Sequence, residues 1–526
     1  GEESSGWVAS HGSQSEFARC ALEAGNPLTE DPGAELRMQP PPPPSFGEAF
    51  SFGPTGFGGS FTVAQGESAS APTFGAGPQA PGGLQASSPS GTLAAQAAQA
   101  MQQQQKQHEQ LSGATAHGPG EHAAGQPVPP LVLASTKKER RRHPTRRYVD
   151  SGDTFYPVEL QNVVFDSFPL RVVYERDRTG FEDSKEFPIR VNSIIAARYQ
   201  VLEYLGSAAF SRAVQCLDLH TNRMVCLKII KNEKDYFDQS LDEIKLLQII
   251  NVNTDSVDSK HCLKLFDYFY HKEHLIIVTE LLRDNLYEFS KFNREVCSGE
   301  PPYFTMGRLQ KVAHQVLVAL EYIHGLWLIH ADLKPENVLV KSYSRCEVKV
   351  IDFGSSCFQD DALPGYVQSR SYRAPEVVLG LPYDQKVDVW SLGCIVAELW
   401  TGYVLFQNNS VQGLLARIHG IIGPVPQRML SAGRFVPQFF SQDGRIYQEV
   451  GTTDASGNKE GRVQLFLPKR TSLRQRMRTD DEAFLDFLTC LLKVDPAERI
   501  PSFEALRHPW LTPGRYVDGL QPTPGV

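Results

Sequence analysis

His330-Ala331-Asp332-Leu333-Lys334-Pro335-Glu336-Asn337, with Ile351-Asp352-Phe353-Gly354 a short way downstream, is the stretch on which the reading of this chain turns. Its order of groups carries the information. Asp332 can accept the proton of an attacking hydroxyl, and Lys334 can offset charge on a phosphoryl group in transit. Asn337 and Asp352 offer oxygens to a divalent cation; Mg²⁺ is expected, and Mn²⁺ would satisfy the same ligands. One such residue alone would be weak evidence. The ordered set is what ATP-dependent phosphoryl transfer requires.

Upstream, Val225-Cys226-Leu227-Lys228-Ile229-Ile230 reads as a strand. It places Lys228 where an ammonium would hold nucleotide phosphates, and Glu243, in the helix that follows, at a separation suited to orient it. Thr279-Glu280-Leu281-Leu282 follows another strand and reads as a hinge meeting adenine through its backbone, with Thr279 at the back of the pocket. The loop over the phosphates departs from the usual G-x-G-x-x-G-x-V. Here it is Gly206-Ser207-Ala208-Ala209-Phe210-Ser211-Arg212-Ala213, so only the first glycine remains and Ala213 stands where valine usually covers adenine. Alanine and serine are small but lose easy access to positive φ, so a stiffer loop is expected. That loop is the one support for the alternative reading, a catalytically silent scaffold of the same fold. Further on, Ala374-Pro375-Glu376 closes a segment, Arg499 is placed to pair with Glu376, and Asp388 is placed to anchor the catalytic-loop backbone at a helix N-terminus.

At 526 residues the chain exceeds one ordinary domain. A net charge of −8 argues against a nucleic-acid binder. Nine cysteines, scattered and without CxxC pairs, point to a reducing, cytoplasmic or nuclear setting. The longest apolar stretch, 392–406, is interrupted by Glu398 and is too short to span a membrane. The chain begins with Gly1, so a targeting signal further upstream would lie outside it.

Residues 1–135 read as a disordered arm, with a proline run (40–44), Gly/Ser/Phe repeats and a Gln-rich tract. The proline run fits an extended spacer better than a ligand for an aromatic-lined groove, and binding of regulatory proteins by the arm stays open. A lone helix over 92–111 is compatible with its Ala and Gln content. Residues 136–198 form a basic linker and flank, in which 137–147 has the composition of a nuclear-import signal or a solvated linker. From 199 to 280 short strands and a helix over 240–250 predict a small, mostly antiparallel lobe. The large lobe, 281–511, is predicted helical. It contains a stripe from Leu309 to Ile323 capped by Gly325, a strand over 347–350, a buried apolar helix over 389–406, and an insert at about 423–470. Residues 512–526 read as a tail.

Asp-Phe-Gly-Ser-Ser-Cys from Asp352, then Tyr366-Val367-Gln368-Ser369-Arg370-Ser371-Tyr372-Arg373-Ala374-Pro375-Glu376, resembles the dual-specificity tyrosine-regulated (DYRK) kinases, relatives of the cyclin-dependent and MAP kinases. Residues 237–245 and 341–349 look like the plant and algal branch. The likeness covers about 181–511 and implies an α+β, bilobal protein-kinase fold. It implies an ATP- and Mg²⁺-dependent enzyme that phosphorylates serine and threonine of protein substrates after phosphorylating itself on Tyr366. Carried over by position, it sets Leu205, Gly206, Ala213, Cys226, Lys228 and Glu243 at the nucleotide, together with Thr279, Glu280, Leu282 and Leu339. Arg370 and Arg373 would receive the tyrosine phosphate, which adds about −1.5 to −2 charge, and Arg370 implies a preference for proline after the target residue.

Overall fold

The structure, a computed structural model, describes residues 156–160, 163–177, 185–296, 302–453 and 459–516. The low-complexity arm, its Gln-rich helix candidate and the basic run 137–147 lie outside the described residues. Two strands, β1 (Tyr156–Leu160) and β2 (Val163–Ser167), pair antiparallel. The strands that follow are β3 (Arg171–Val173), β4 (Ile194–Ile195), β5 (Tyr199–Ser207), β6 (Ser211–Asp218) and β7 (Arg223–Ile230). Helix α1 (Lys234–Val252) separates them from β8 (Leu265–His271) and β9 (His274–Glu280). Strands β3 to β9 form one sheet in the order β3-β8-β9-β7-β6-β5-β4, so the flank ahead of residue 199 contributes both edge strands. β3 joins β8 in parallel, and the other pairings are antiparallel.

Strand alternation gives this sheet two faces. Val214 and Cys216 on β6, and Val225, Leu227 and Ile229 on β7, enter a cluster with Phe269, Ile276 and Val278. Ile230, Ile277 and Leu275 turn the other way, into the main core with Ile244 and Leu247 of α1. α1 starts six residues before the predicted 240 and ends two after 250. It opens with a Lys234–Asp238 ion pair (2.6 Å), which an apolar-periodicity reading passes over.

The large lobe begins with α2 (Leu286–Val296) and α3 (Met306–Gly325). α3 buries Leu309, Val312, Ala313, Val316, Leu320 and Ile323 completely, the predicted stripe, and Thr305 caps it by accepting from Arg308 N. Gly325 is not its cap. It is the last helical residue, and Leu326, at φ −84°, takes the capping place, so the turn makes no use of glycine's left-handed freedom. Next come β10 (Leu328–Ile329), β11 (Val338–Ser342), β12 (Glu347–Val350) and β13 (Cys357–Phe358). β11 pairs with β12, and β10 with β13, so the catalytic loop between β10 and β11 is fixed at both ends.

α4 (Pro375–Leu379) and α5 (Lys386–Thr401) follow. α5 buries every residue from Val387 to Leu399. It stops short of the predicted 406 because Gly402, at φ +76°, closes it by donating to Glu398 O (2.7 Å). Within the predicted insert the chain makes a short helix, Gln427–Ala432, and an antiparallel hairpin of Ile446–Thr453 with Lys459–Phe466. Helix Val411–Ile421 precedes that insert, and the helices Leu473–Met477, Glu482–Leu491 and Ser502–Ala505 pack behind α5 and α3. Order persists past 511, since Tyr516 is buried, packs on Trp510 and donates to Asp481 (2.6 Å). Among the described residues no helix is long and apolar enough to cross a membrane.

Arg499 clamps this lobe. Its guanidinium forks onto Glu376 (2.6 and 2.9 Å), both side chains fully buried, and donates to Lys386 O and Lys493 O. Removing one member of a buried pair leaves the other uncompensated, which costs about 3–5 kcal/mol. Arg499→Met, close in volume, should therefore lower unfolding stability by that amount in a denaturant titration.

Candidate active site

Lys228 on β7 and Glu243 on α1 meet in a bidentate ion pair of 2.7 and 2.8 Å, both nearly inaccessible to water. Asp352 Oδ1 lies 3.7 Å from the same ammonium. Burial works against the charge on Lys228, but the two carboxylates outweigh it and hold its pKa above the ordinary lysine value. Asp352 takes φ +63°, and the next ring, Phe353, is fully buried against His330 at 5.3 Å. The packing of Phe353 thus maintains a conformation that a non-glycine residue adopts at a cost.

The catalytic loop is built around Asp388 at the first turn of α5. Asp388 Oδ2 accepts from His330 N (2.8 Å), and Oδ1 accepts from Ala331 N (3.0 Å), the latter at φ +64°. Asp332 follows directly. Its Oδ2 accepts from Lys334 Nζ (2.8 Å), and its backbone carbonyl accepts from Asn337 Nδ2 (2.9 Å). Its Oδ1 accepts from both the amide and the hydroxyl of Ser369 (3.0 and 2.8 Å). Ser369 was not singled out from the sequence; no spacing rule links a serine 37 residues away to this carboxylate. Asn337 Oδ1, by contrast, is buried with no hydrogen-bond partner. An orphaned amide oxygen, on a residue whose carbonyl accepts from Ile351 N next to Asp352, fits a hard cation.

A cavity of about 490 Å³ opens between the lobes. Leu205, Ala213, Cys226, Lys228, Glu243, Thr279, Glu280, Leu282 and Leu339 all line it, with Asp352 at one end. Gly206 does not. The Glu280 carboxylate turns away, to Lys349 and the Lys264 amide (2.7 Å), which leaves only the hinge backbone for a ligand. Asp284 and Tyr343, absent from the sequence reading, close the mouth through a hydrogen bond between hinge and β11–β12 turn. Asp332, Lys334 and Asn337 form a second cluster, tied to the cavity wall by Ile351 N donating to Asn337 O (3.0 Å).

The expected stiffening of the phosphate loop through loss of positive φ is not what the backbone shows. Ala208, Ala209 and Ser211 lie outside the left-handed region, so the two missing glycines leave no strain there. The loop is held instead by Ala208 N donating to Ser211 O (2.8 Å) and by Lys231 Nζ donating to Ala209 O (2.6 Å).

In the segment before Glu376, Tyr366 is 57% exposed. Arg373 is buried and spends two groups on the Val367 and Gln368 carbonyls (2.8 and 2.6 Å), with its guanidinium 3.6 Å from the Tyr366 ring centroid. It therefore meets the ring face, where the sequence reading had it waiting for the phosphate. Arg370 is half-buried nearby.

Residues 199–511 match the model of the protein kinase domain. The chain is 37% identical over 334 residues to the DYRK-family kinase pom1 of Schizosaccharomyces pombe, covering 63% of this chain and 29% of that one. It is 37% identical over 348 residues to the human dual specificity tyrosine-phosphorylation-regulated kinase 4, covering 66% and 63%. The nematode kinase mbk-2 of Caenorhabditis elegans is 36% identical over 359 residues, covering 66% and 43%. The chain thus spans less than two thirds of the length of each of these relatives. A crystal structure of a kinase domain superposes with a TM-score of 0.54 at 25% identity, covering 62% of this chain and 99% of that one.

Beneath the catalytic loop lies an acidic group. Glu398 of α5 accepts from Tyr372 Oη (2.7 Å), and Glu336 of the catalytic loop bears on it. Burial, with Glu336 adding to it, raises the Glu398 carboxyl to about 7. A raised acid holds its proton in the folded state while the unfolded chain has released it. Stability is therefore fully kept below about pH 4.5 and declines as pH rises towards 7. Glu398→Gln, which retains an acceptor for Tyr372, should flatten that part of the Tm-against-pH curve.

Proposed function

This chain belongs to the protein kinase family, with a domain of the DYRK type, and from that premise we propose that it transfers the γ-phosphoryl group of ATP to serine and threonine hydroxyls of proteins. The observation that carries the reading is the assembled state of both clusters: Lys228 is paired with Glu243 beside Asp352, and Asp332 is aligned by Lys334 and Ser369. A substrate hydroxyl occupying the place of the Ser369 Oγ would give its proton to Asp332 as its oxygen bonds to the γ-phosphorus. The bond to the β,γ-bridging oxygen breaks, and ADP leaves. Lys334 offsets charge on the phosphoryl group, and Lys228 holds the non-transferred phosphates. Asn337 Oδ1 and the Asp352 carboxylate would hold Mg²⁺, which neutralises phosphate charge when bound. A scaffold-only reading finds no favouring observation, since the loop lacking two glycines keeps an unstrained backbone.

The proposal includes self-activation. Tyr366 is exposed, and its ring stacks on a guanidinium that a phosphate could recruit by a small change of side-chain angle. It also includes proline preference through Arg370, placement in the plant and algal branch from residues 237–245 and 341–349, regulatory binding by residues 1–135, and nuclear import through 137–147, each supported by sequence.

Intact-mass and peptide mass spectrometry on the full chain made in bacteria, beside Asp332→Asn, tests the core of it. Phosphate on Tyr366 is expected in the wild type alone, with substrate turnover in the variant down ~10²- to 10⁴-fold. Wild type that binds ATP yet neither carries phosphate nor turns over substrate would overturn the reading.

A further inference from the structure

β6 and β7 run in unbroken register past the nucleotide cavity. Gln215 faces Cys226, Ala213 faces Lys228, and Ser211 faces Ile230. Alternate residues of a strand share a face. Gln215, Ala213, Cys226 and Lys228 all line the cavity, so Ser211 shares their face of the strand, one step beyond the Ala213–Lys228 pair and just outside the cavity lining. That step of two residues, ~7 Å along the strand, leads from the adenine end towards the phosphate end. Ser211 is fully buried, and its hydroxyl has no hydrogen-bond partner. Its neighbour Phe210 extends its ring to 5.0 Å from the Lys228 ammonium, over the same end of the cavity.

Buried hydroxyls are normally paired, because leaving one unpaired forfeits its bonds to water. This one stands in the third glycine place of the phosphate loop, where the usual residue has no side chain at all. We propose that Ser211 is a phosphate-binding residue, its hydroxyl donating to a phosphate oxygen of the bound nucleotide once the Phe210 ring has moved aside. This rests on the kinase reading given above. It explains how a loop short of two glycines retains its grip: the usual loop offers only backbone amides to the phosphates, and this chain adds a side-chain donor to an anionic acceptor. The Lys231 tether to the Ala209 carbonyl fixes the turn from which that donor is presented.

Calorimetric titration of the full chain with Mg·ATP, Mg·ADP and adenosine, for wild type, Ser211→Ala and Ser211→Thr, tests this. Ser211→Ala should weaken ATP and ADP about tenfold, the value of a hydrogen bond to a charged group, and leave adenosine unchanged. Ser211→Thr, which keeps the hydroxyl, should recover most of the loss. Without ligand, Ser211→Ala should melt no lower than wild type, because it removes an unpaired polar group. Unchanged ATP affinity in Ser211→Ala would overturn the assignment. So would an equal loss for ATP and adenosine, which marks a purely structural residue. Wild type that binds adenosine but not ATP would overturn the kinase reading itself, and this inference with it.

Discussion

One buried carboxylate governs the geometry of the reacting groups. Asp388, fully inaccessible, accepts two consecutive amides, those of His330 and Ala331, and also His324 Nε2 at 3.0 Å. Two adjacent amides can point at one carboxylate only if the chain turns sharply between them, and Ala331 does so by adopting φ +64°. The next residue is Asp332. Its direction, and through it the positions of Lys334, Asn337 and Ser369, follows from that turn. A left-handed alanine costs energy, and α5 sustains it because its own core, from Val387 to Leu399, is entirely buried. A fully buried helix stretch of the large lobe therefore carries a loop held in a left-handed turn.

The two lobes communicate through charge. Lys228 comes from the sheet, Glu243 from α1 and Asp352 from the loop after β12, so the Lys228–Glu243 pair closes within the small lobe and Asp352 joins it from the large one. At the hinge Lys349, almost fully buried on β12, joins Glu280 and Asp258 across the same boundary. Unpaired, the buried members of this set, Lys228, Glu243 and Lys349, would each carry a desolvation penalty of several kcal/mol. Their value lies less in net stability than in excluding arrangements that leave one of them alone.

The phosphate loop shows how a motif can be degraded in letters while its physics is kept. Glycine matters where φ is positive or where a backbone must come close to a ligand. At 208, 209 and 211 the first condition does not arise. The second is met by small side chains, and the tip is held by the Lys231 ammonium, a residue outside the motif. Counting glycines alone would have undervalued this loop.

The sequence alone determined much of this protein, because ordered chemistry and periodicity are local. The groups Asp332, Lys334, Asn337 and Asp352 were legible from their spacing, Lys228 from its strand, and the core face of α3 from residues recurring every three or four positions. The pairing of Arg499 with Glu376, 123 residues apart, was legible from the motifs that hold the two residues. What the tertiary structure decided lies where distant segments meet. Ser369 reaches Asp332 because the activation segment folds back over the catalytic loop. Arg373 lies under the Tyr366 ring because its guanidinium is drawn to two nearby carbonyls. The Gly325 turn closed without a left-handed glycine, and α5 ended at Gly402 where hydropathy continued to 406. In each case long-range hydrogen bonding or backbone geometry, which leaves no periodic trace in the chain, outweighed the local preference.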